Sequence, residues 1–188
     1  MASQTQFPTP EYKLPMEFFR RNVEDVAAEI IGRFLIVESK GSEPVAAQLT
    51  QVAAYQGSEK STAPTMNYAP GMIGISVKHG HRLIDIACGT PRNPSCITLR
   101  AGIVYRPNRT PEVIMGPGLL SKAIGFGDHM DSTPISSERV WFAGQSLPEY
   151  MITRVRDSKN TTPNHKGTFV MEPRSVEHLL ADYVRGKF

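Results

Sequence analysis

The chain has 188 residues, of which 40% are hydrophobic and 21% charged, a composition typical of one globular domain. Its net charge of +3 comes from scattered basic residues, so no dedicated nucleic-acid stripe is predicted. No run approaches the roughly 18 apolar residues of a membrane span, and we expect no signal peptide. Two cysteines, Cys88 and Cys96, make a poor disulfide framework, which indicates a reduced intracellular compartment.

The first half of the chain predicts one helix followed by strands. Residues 1–13 are polar and contain proline, which indicates a flexible arm ahead of a single domain at 14–188. Asn22 can cap a helix whose apolar stripe continues to Ile31. Strands are predicted at 34–37 and 48–55, followed by a polar loop at 57–70.

The second half predicts a hairpin, more strands and two helices. Strands at 73–77 and 83–88 should turn at His79-Gly80-His81, and a strand at 97–104 carries Arg100. Gly116-Pro117-Gly118 begins a helix that reaches Ile124. The remaining predicted elements are strands at 140–142, 150–155 and 168–171 and a terminal helix at 175–185. One early helix, a run of strands and helices at the edge predict an α+β fold.

Six segments follow one another in an order that a known family shares. They are 14–37, Ala47 to Tyr55, Pro70 to Gly80, Ile97 to Ala101, Gly116 to Gly125 and Thr153 to Val155. In sequence and order they resemble the alkyladenine (3-methyladenine) DNA glycosylases. The resemblance implies a single domain with a curved, mainly antiparallel sheet and flanking helices. It also implies an ancestor that flipped a damaged purine out of the duplex into a pocket.

The residues that this family uses for catalysis are mostly replaced. By resemblance, the general-base glutamate falls on Ala53 and its companion acid on Gln51, while Tyr55 and Arg100 are unchanged. A methyl group cannot accept a proton, so general base catalysis at position 53 is lost. The pocket histidine and the three hairpin tyrosines, of which the last is the wedge that enters DNA, fall on Pro64, Gly74, Ser76 and His79. Because these residues are lost together, we expect that the chain keeps the family's fold but has a different function.

Three ionisable side chains near the hairpin are the candidate catalytic groups: Asp85, His79 and His81. The two histidines flank a glycine, and Asp85 could orient or charge one of them for proton transfer. The alternative is that both histidines are exposed turn residues and Asp85 is a solvated strand residue. No metal site is predicted, because we find no third ligand to complete one.

The predicted ligand-binding residues are Gln51, Ala53, Tyr55, Ser76 and Arg100. Gln51 and Ala53 should share the face of Tyr55, together with Leu49, because side chains alternate along a strand. A buried guanidinium needs a partner, so Arg100 could pair with Asp85, or it could bind an anion directly.

Two further motifs have less specific meanings. The start of the predicted helix at Gly116 could bind phosphate, although such a turn more often only begins a helix. The run from Asp128 to Asp131 resembles a set of ligands but is predicted to be a solvated turn.

The pocket predicts a cofactor-independent enzyme acting on a small-molecule metabolite by isomerisation, cyclisation, elimination or hydrolysis. Gly74 and Ser76 should enlarge the pocket, and no nucleotide-cofactor motif is present. One alternative is a divergent DNA glycosylase in which Asp85 or a histidine activates water. Another is a non-catalytic protein that binds DNA lesions or a ligand. We expect a monomer with a small-molecule ligand, DNA as a weaker candidate partner and no membrane contact, in the cytoplasm or, if it acts on DNA, the nucleus.

Overall fold

The computed structural model describes residues 7–57, 64–156 and 164–184. These ranges contain three α-helices: α1 (Val23–Ile30), α2 (Pro117–Ala123) and α3 (Pro173–Val184). The strands are β1 (Phe34–Val37), β2 (Val45–Gln56), β3 (Ile73–Lys78), β4 (His81–Thr90), β5 (Asn93–Tyr105), β6 (Glu112–Met115), β7 (Val140–Ala143), β8 (Ile152–Val155) and β9 (His165–Met171).

The strands form one antiparallel sheet with the order β3-β4-β5-β2-β1-β7. β6 extends the sheet beside β5, and β9 joins β2 to β8. The sheet is curled into a half-barrel, so the predicted α+β fold with a curved antiparallel sheet is confirmed. No helix in the described part of the chain is long and apolar enough to cross a bilayer.

Helix α1 forms where the apolar stripe predicts it. The Asn22 side chain accepts a hydrogen bond from the Glu24 amide at 2.8 Å, which satisfies one free donor of the first turn. The apolar side chains of the stripe are buried against the sheet: Val23, Val26, Ala27 and Ile30. Burial of each large aliphatic side chain contributes about 1.5–3 kcal/mol, so tertiary packing holds this short helix in place.

Both faces of the sheet are covered at the β1 end. Leu35 and Val37 belong to the main core, whereas Phe34 and Ile36 point the other way into a second cluster with Tyr105. Three side chains of α3 pack against that second cluster: Val176, Leu179 and Leu180. The cavity described below lies on this face of the sheet, at the end formed by β3, β4 and β5.

The acidic run after α2 is not the solvated turn that the sequence predicts. Asp131 accepts hydrogen bonds from the Ile75 amide at 2.8 Å and from the Tyr68 hydroxyl at 3.1 Å. The Ile73 amide donates to the Thr133 carbonyl at 2.8 Å, which extends this contact along the outer edge of β3. Asp128 is exposed but binds both nitrogens of the Arg82 fork at 2.6 Å. We name residues 128–133 the edge clamp, since they hold β3 and β4.

Several predicted boundaries differ from the observed ones. β2 begins at Val45 rather than at residue 48, β8 begins at Ile152, and β6 was not predicted. Parts of the predicted arm (1–6), polar loop (58–63) and terminal helix (185) lie outside the described residues. The domain boundary at residue 13 stays a prediction. Tyr12 accepts a backbone hydrogen bond from Gly144 at 2.9 Å, and Lys13 donates to the Ser137 carbonyl at 2.9 Å.

Candidate functional site

One row of residues crosses five strands at the same level. Gly74 of β3 is opposite Asp85, Asp85 is opposite Thr98, Thr98 is opposite Ala53, and Ala53 is opposite Thr168 of β9. Directly opposed residues point to the same face of a sheet. Neighbouring strands are about 4.8 Å apart, so the backbones at Asp85 and Ala53 are separated by roughly 10 Å. Asp85 therefore stands on the face that the family's glutamate would occupy, two strands away.

A cavity of about 670 Å³ opens on this face, which is the size of a site for a small organic ligand or a nucleobase. Six of the residues predicted from the sequence line it together: Tyr55, Ser76, His79, His81, Asp85 and Arg100. Gln51 and Ala53 are not among its lining residues. Cys96 lines it as well, and the walls are completed by other side chains, among them Met66, Lys78, Leu83, Thr98, Leu119 and Asn164.

Asp85 is 8% exposed and accepts two hydrogen bonds from hydroxyl groups. Thr98 donates to Oδ1 at 2.5 Å and Ser76 donates to Oδ2 at 2.9 Å. Burial raises the pKa of the Asp85 carboxyl, while these two hydrogen bonds and the charge of Lys78 act in the opposite direction. Each carboxylate oxygen retains one further acceptor position, so Asp85 can accept a proton from a water molecule or a ligand in the cavity.

The ion pair between Asp85 and Arg100 that the sequence suggested as a structural contact is not present. Asp85 is opposite Thr98, so Arg100 is its diagonal neighbour on β5, and two hydroxyl groups rather than the guanidinium bind the carboxylate. Within the described residues, the Arg100 guanidinium forms no ion pair or hydrogen bond and lines the cavity. Arg100 is therefore available to bind an anionic group of a ligand.

The two histidines stand at the rim of the cavity and are both exposed. His79 and Gly80 have φ angles of 50° and 79° and form the tight turn between Lys78 and His81. α2 begins beside His81, and a Cβ added to Gly118 would lie 2.7 Å from the Cβ of that histidine. Gly118 is thus needed for the close approach of α2 to His81. The turn at Gly116, just before α2, therefore helps to place this helix against the hairpin.

Gly74 does not enlarge the cavity, contrary to the expectation from the sequence. A Cβ at position 74 would lie 1.9 Å from Thr65 Oγ1 and 2.6 Å from Thr65 Cβ. Thr65 is 2% exposed and belongs to a 3-10 turn, Pro64–Asn67, that folds over β3. Thr65 therefore packs directly against Gly74. Ser76, in contrast, does line the cavity.

A β-bulge changes which residues of β2 face the site. The register between β2 and β5 shifts on both sides of Gln51, so the simple alternation predicted for residues 49–55 is wrong at its start. Leu49 lies in the main core with Val52 and Ala54, on the face opposite to Tyr55. Ala53 stays on the site face but is fully buried.

The cysteines are free and lie on opposite faces of the sheet. Cys88 belongs to the main core, whereas Cys96 lines the cavity. Burial raises the pKa of both thiols, so Cys96 remains a protonated wall residue rather than a nucleophile.

Among the residues that the structure describes, no three histidine, cysteine or acidic side chains are grouped as metal ligands.

The α+β half-barrel thus carries one buried carboxylate in an open cavity whose volume would accommodate a nucleobase. The model of the methylpurine-DNA glycosylase family matches residues 17–159, and the chain belongs to this family. The resemblance on which the sequence analysis relied is therefore confirmed.

Three relatives share most of the chain and are described as candidate 3-methyladenine DNA glycosylases. The Bacillus velezensis protein is 25% identical over 164 residues, which cover 76% of this chain and 83% of the relative. The Rhodopseudomonas palustris protein is 28% identical over 155 residues, or 73% of this chain and 77% of the relative. The Burkholderia orbicola protein is 26% identical over 163 residues, or 75% and 77%.

Proposed function

We propose that the chain is a divergent DNA glycosylase that accepts a flipped purine in the cavity and uses Asp85 to activate water. The family match supports this alternative better than the small-molecule isomerase, cyclase or lyase that the altered pocket first suggested. Duplex DNA carrying an alkylated purine is thus the proposed partner.

The observation that carries the proposal is the placement of Asp85. Among the described residues that line the cavity it is the only carboxylate, and it shares a row of the sheet with Ala53. Burial raises its pKa, which makes the ionised carboxylate a stronger base than an exposed aspartate.

The proposed reaction is hydrolysis of the N-glycosidic bond. The water oxygen forms a bond to C1′ of the sugar while the bond from C1′ to the base nitrogen breaks, and the electron pair leaves with the purine. The water proton passes to Asp85. A cationic alkylpurine leaves without prior protonation, so one base suffices for this substrate class.

Three other cavity residues support binding of a nucleotide. The Tyr55 ring offers a face on which a planar base can stack. Arg100 and Lys78 supply positive charge near Asp85, which suits the phosphates that flank a flipped nucleotide.

Single-turnover excision from a duplex that carries 7-methylguanine tests the proposal. We expect slow but measurable release by the wild-type chain, and a rate lower by about 10²–10⁴ in Asp85→Asn, because an amide cannot act as the base. Asp25→Asn, which changes an exposed acid of α1, is the matched control and should retain the wild-type rate. Release by Asp85→Asn at the wild-type rate, or no release by the wild-type chain over its uncatalysed background, would contradict the proposal.

A further inference from the structure

A second β-bulge places a histidine beside Tyr55. Along the pairing of β2 with β9, Ala53 is opposite Thr168 and Ala54 is opposite Gly167, but Tyr55 is opposite His165. Lys166 is therefore the extra residue of the bulge, and Gly167 has a φ of 136°, in the region that favours glycine. Without the bulge, Lys166 would stand opposite Tyr55. Bulges of this kind re-aim side chains next to functional sites.

The imidazole makes two specific contacts on the site face. Its ring centroid lies 5.3 Å from that of Tyr55, with 48° between the ring planes. Its Nε2 lies 3.3 Å from Thr168 Oγ1, and Thr168 is buried directly opposite Ala53. His165 is half-buried and does not line the cavity itself, whereas Tyr55 and the preceding Asn164 do. The histidine thus supports the tyrosine from outside the ligand space.

We propose that His165 is a positioning residue that holds the Tyr55 ring in the orientation needed to stack on a flipped base. This inference rests on the proposed function only in that the stacked ligand is a nucleobase.

A fixed aromatic ring binds a planar ligand better than a mobile one, because the ring loses less conformational freedom when the ligand arrives. In the sheet, Tyr55 is held by backbone pairing, but its ring orientation depends on neighbouring side chains. His165 fixes one side of the ring, and Thr168 in turn fixes the imidazole. Loss of the imidazole should therefore weaken base binding without removing any group that contacts the base.

Two measurements on the full chain test this role. The first is the position of the Tyr55 ring signals in aromatic ¹H–¹³C spectra, assigned by loss of signal in Tyr55→Phe. The second is the dissociation constant for the fluorescent base 1,N⁶-ethenoadenine. We expect His165→Ala to move the Tyr55 signals and to weaken binding about 5–10-fold. His165→Phe, which keeps a ring at this position, should restore binding to within about twofold of wild type.

His178→Ala is the matched control, since this exposed histidine on α3 does not line the cavity and should leave both readings unchanged. The inference is overturned if the Tyr55 signals move no more in His165→Ala than in this control, or if His165→Ala binds the base as tightly as wild type. If His165→Ala fails to fold, Thr168→Val is used instead. This variant removes the hydroxyl partner of the imidazole, and the inference then requires that it moves the Tyr55 signals. Absence of ethenoadenine binding by the wild type would count against the proposed function alone, and the spectra would still decide the positioning role.

Discussion

Hydroxyl groups, rather than a cation, hold the Asp85 carboxylate in place. Thr98 and Ser76 each donate one hydrogen bond, whereas Arg100 forms no ion pair with this carboxylate. Two hydroxyl donors compensate only part of the desolvation that burial imposes, and the pKa therefore stays raised. A carboxylate held by hydroxyl groups can still take up a proton. A salt-bridged carboxylate at the same depth would stay ionised at neutral pH.

The raised pKa of Asp85 predicts a pH-dependent free energy of unfolding. The folded state holds the proton more tightly than the unfolded chain, whose aspartate pKa is about 3.9. The stabilisation is complete below this value and is lost as pH rises through the folded-state pKa of Asp85. Asp85→Asn removes the dependence, so urea unfolding at several pH values from 4 to 8 should show less loss of stability in the variant. Because no ion pair with Arg100 is broken, the change at pH 4 should remain within about 1–2 kcal/mol.

A large loss of stability in Asp85→Asn would instead indicate a structural role for Asp85. If Asp85→Asn lost about 3–5 kcal/mol at neutral pH, the carboxylate would be compensating a buried cation, as the sequence first allowed. Ser76→Ala serves as the control, since it removes one donor and keeps the titrating group.

Position 53 shows why the family's glutamate cannot simply be restored. Ala53 is fully buried between Thr98 and Thr168 and does not line the cavity. Ala53→Glu would bury a carboxylate without a cation beside it, and we expect a loss of several kcal/mol in stability. The same variant should not raise the excision rate for 7-methylguanine. An increase of tenfold or more, with stability retained, would show that the ancestral position is still usable.

The 3-10 turn Pro64–Asn67 packs closely against β3, the first strand of the hairpin. Gly74→Ala would place a methyl group against Thr65 and should destabilise the fold by about 1–3 kcal/mol, because β3 and the 3-10 turn must separate. Thr65→Gly removes the opposing side chain, so the double variant should lose less than the sum of the two single changes. Thermal unfolding of all four proteins measures this coupling, and strict additivity would contradict the proposed contact.

Local patterns in the sequence predicted the elements well and the cavity in part. The apolar stripe of α1, the turn at His79 and Gly80 and the strand that carries Arg100 depend on neighbours within a few residues, and each is present, although β5 already begins at Asn93. The two-residue period of a strand could have identified Thr98 as a second residue of β5 on the face of Arg100. The bulges at Gln51 and Lys166 could not be read in this way, because they arise from pairing with distant strands. His165 was missed for that reason.

The net charge of the molecule determines how its affinity for DNA should depend on salt concentration. With a net charge of +3, affinity for duplex DNA should come from the few cations around the cavity rather than from a broad basic surface. Lys78 and Arg100 are two such groups, so the plot of log affinity against log salt should have a slope of about −2. Lys78→Ala removes about one phosphate contact, so the slope should become less steep by about 1.

Fluorescence anisotropy at 50–300 mM salt measures this dependence on a labelled duplex. Lys40→Ala is the control, because this lysine lies in the connection between β1 and β2, at the far end of β2 from the cavity. An affinity that does not change with salt would show that phosphates are not bound.

The edge clamp also bears on how copies of this protein behave towards each other. β3 is the terminal strand of the sheet, and an open terminal strand is a template on which a second chain can add its own strand. Here Ile73 and Ile75 already direct their outer amides to Thr133 and Asp131. The outer edge of β3 is therefore already paired within the chain, and release of residues 128–133 would expose it as a template for aggregation.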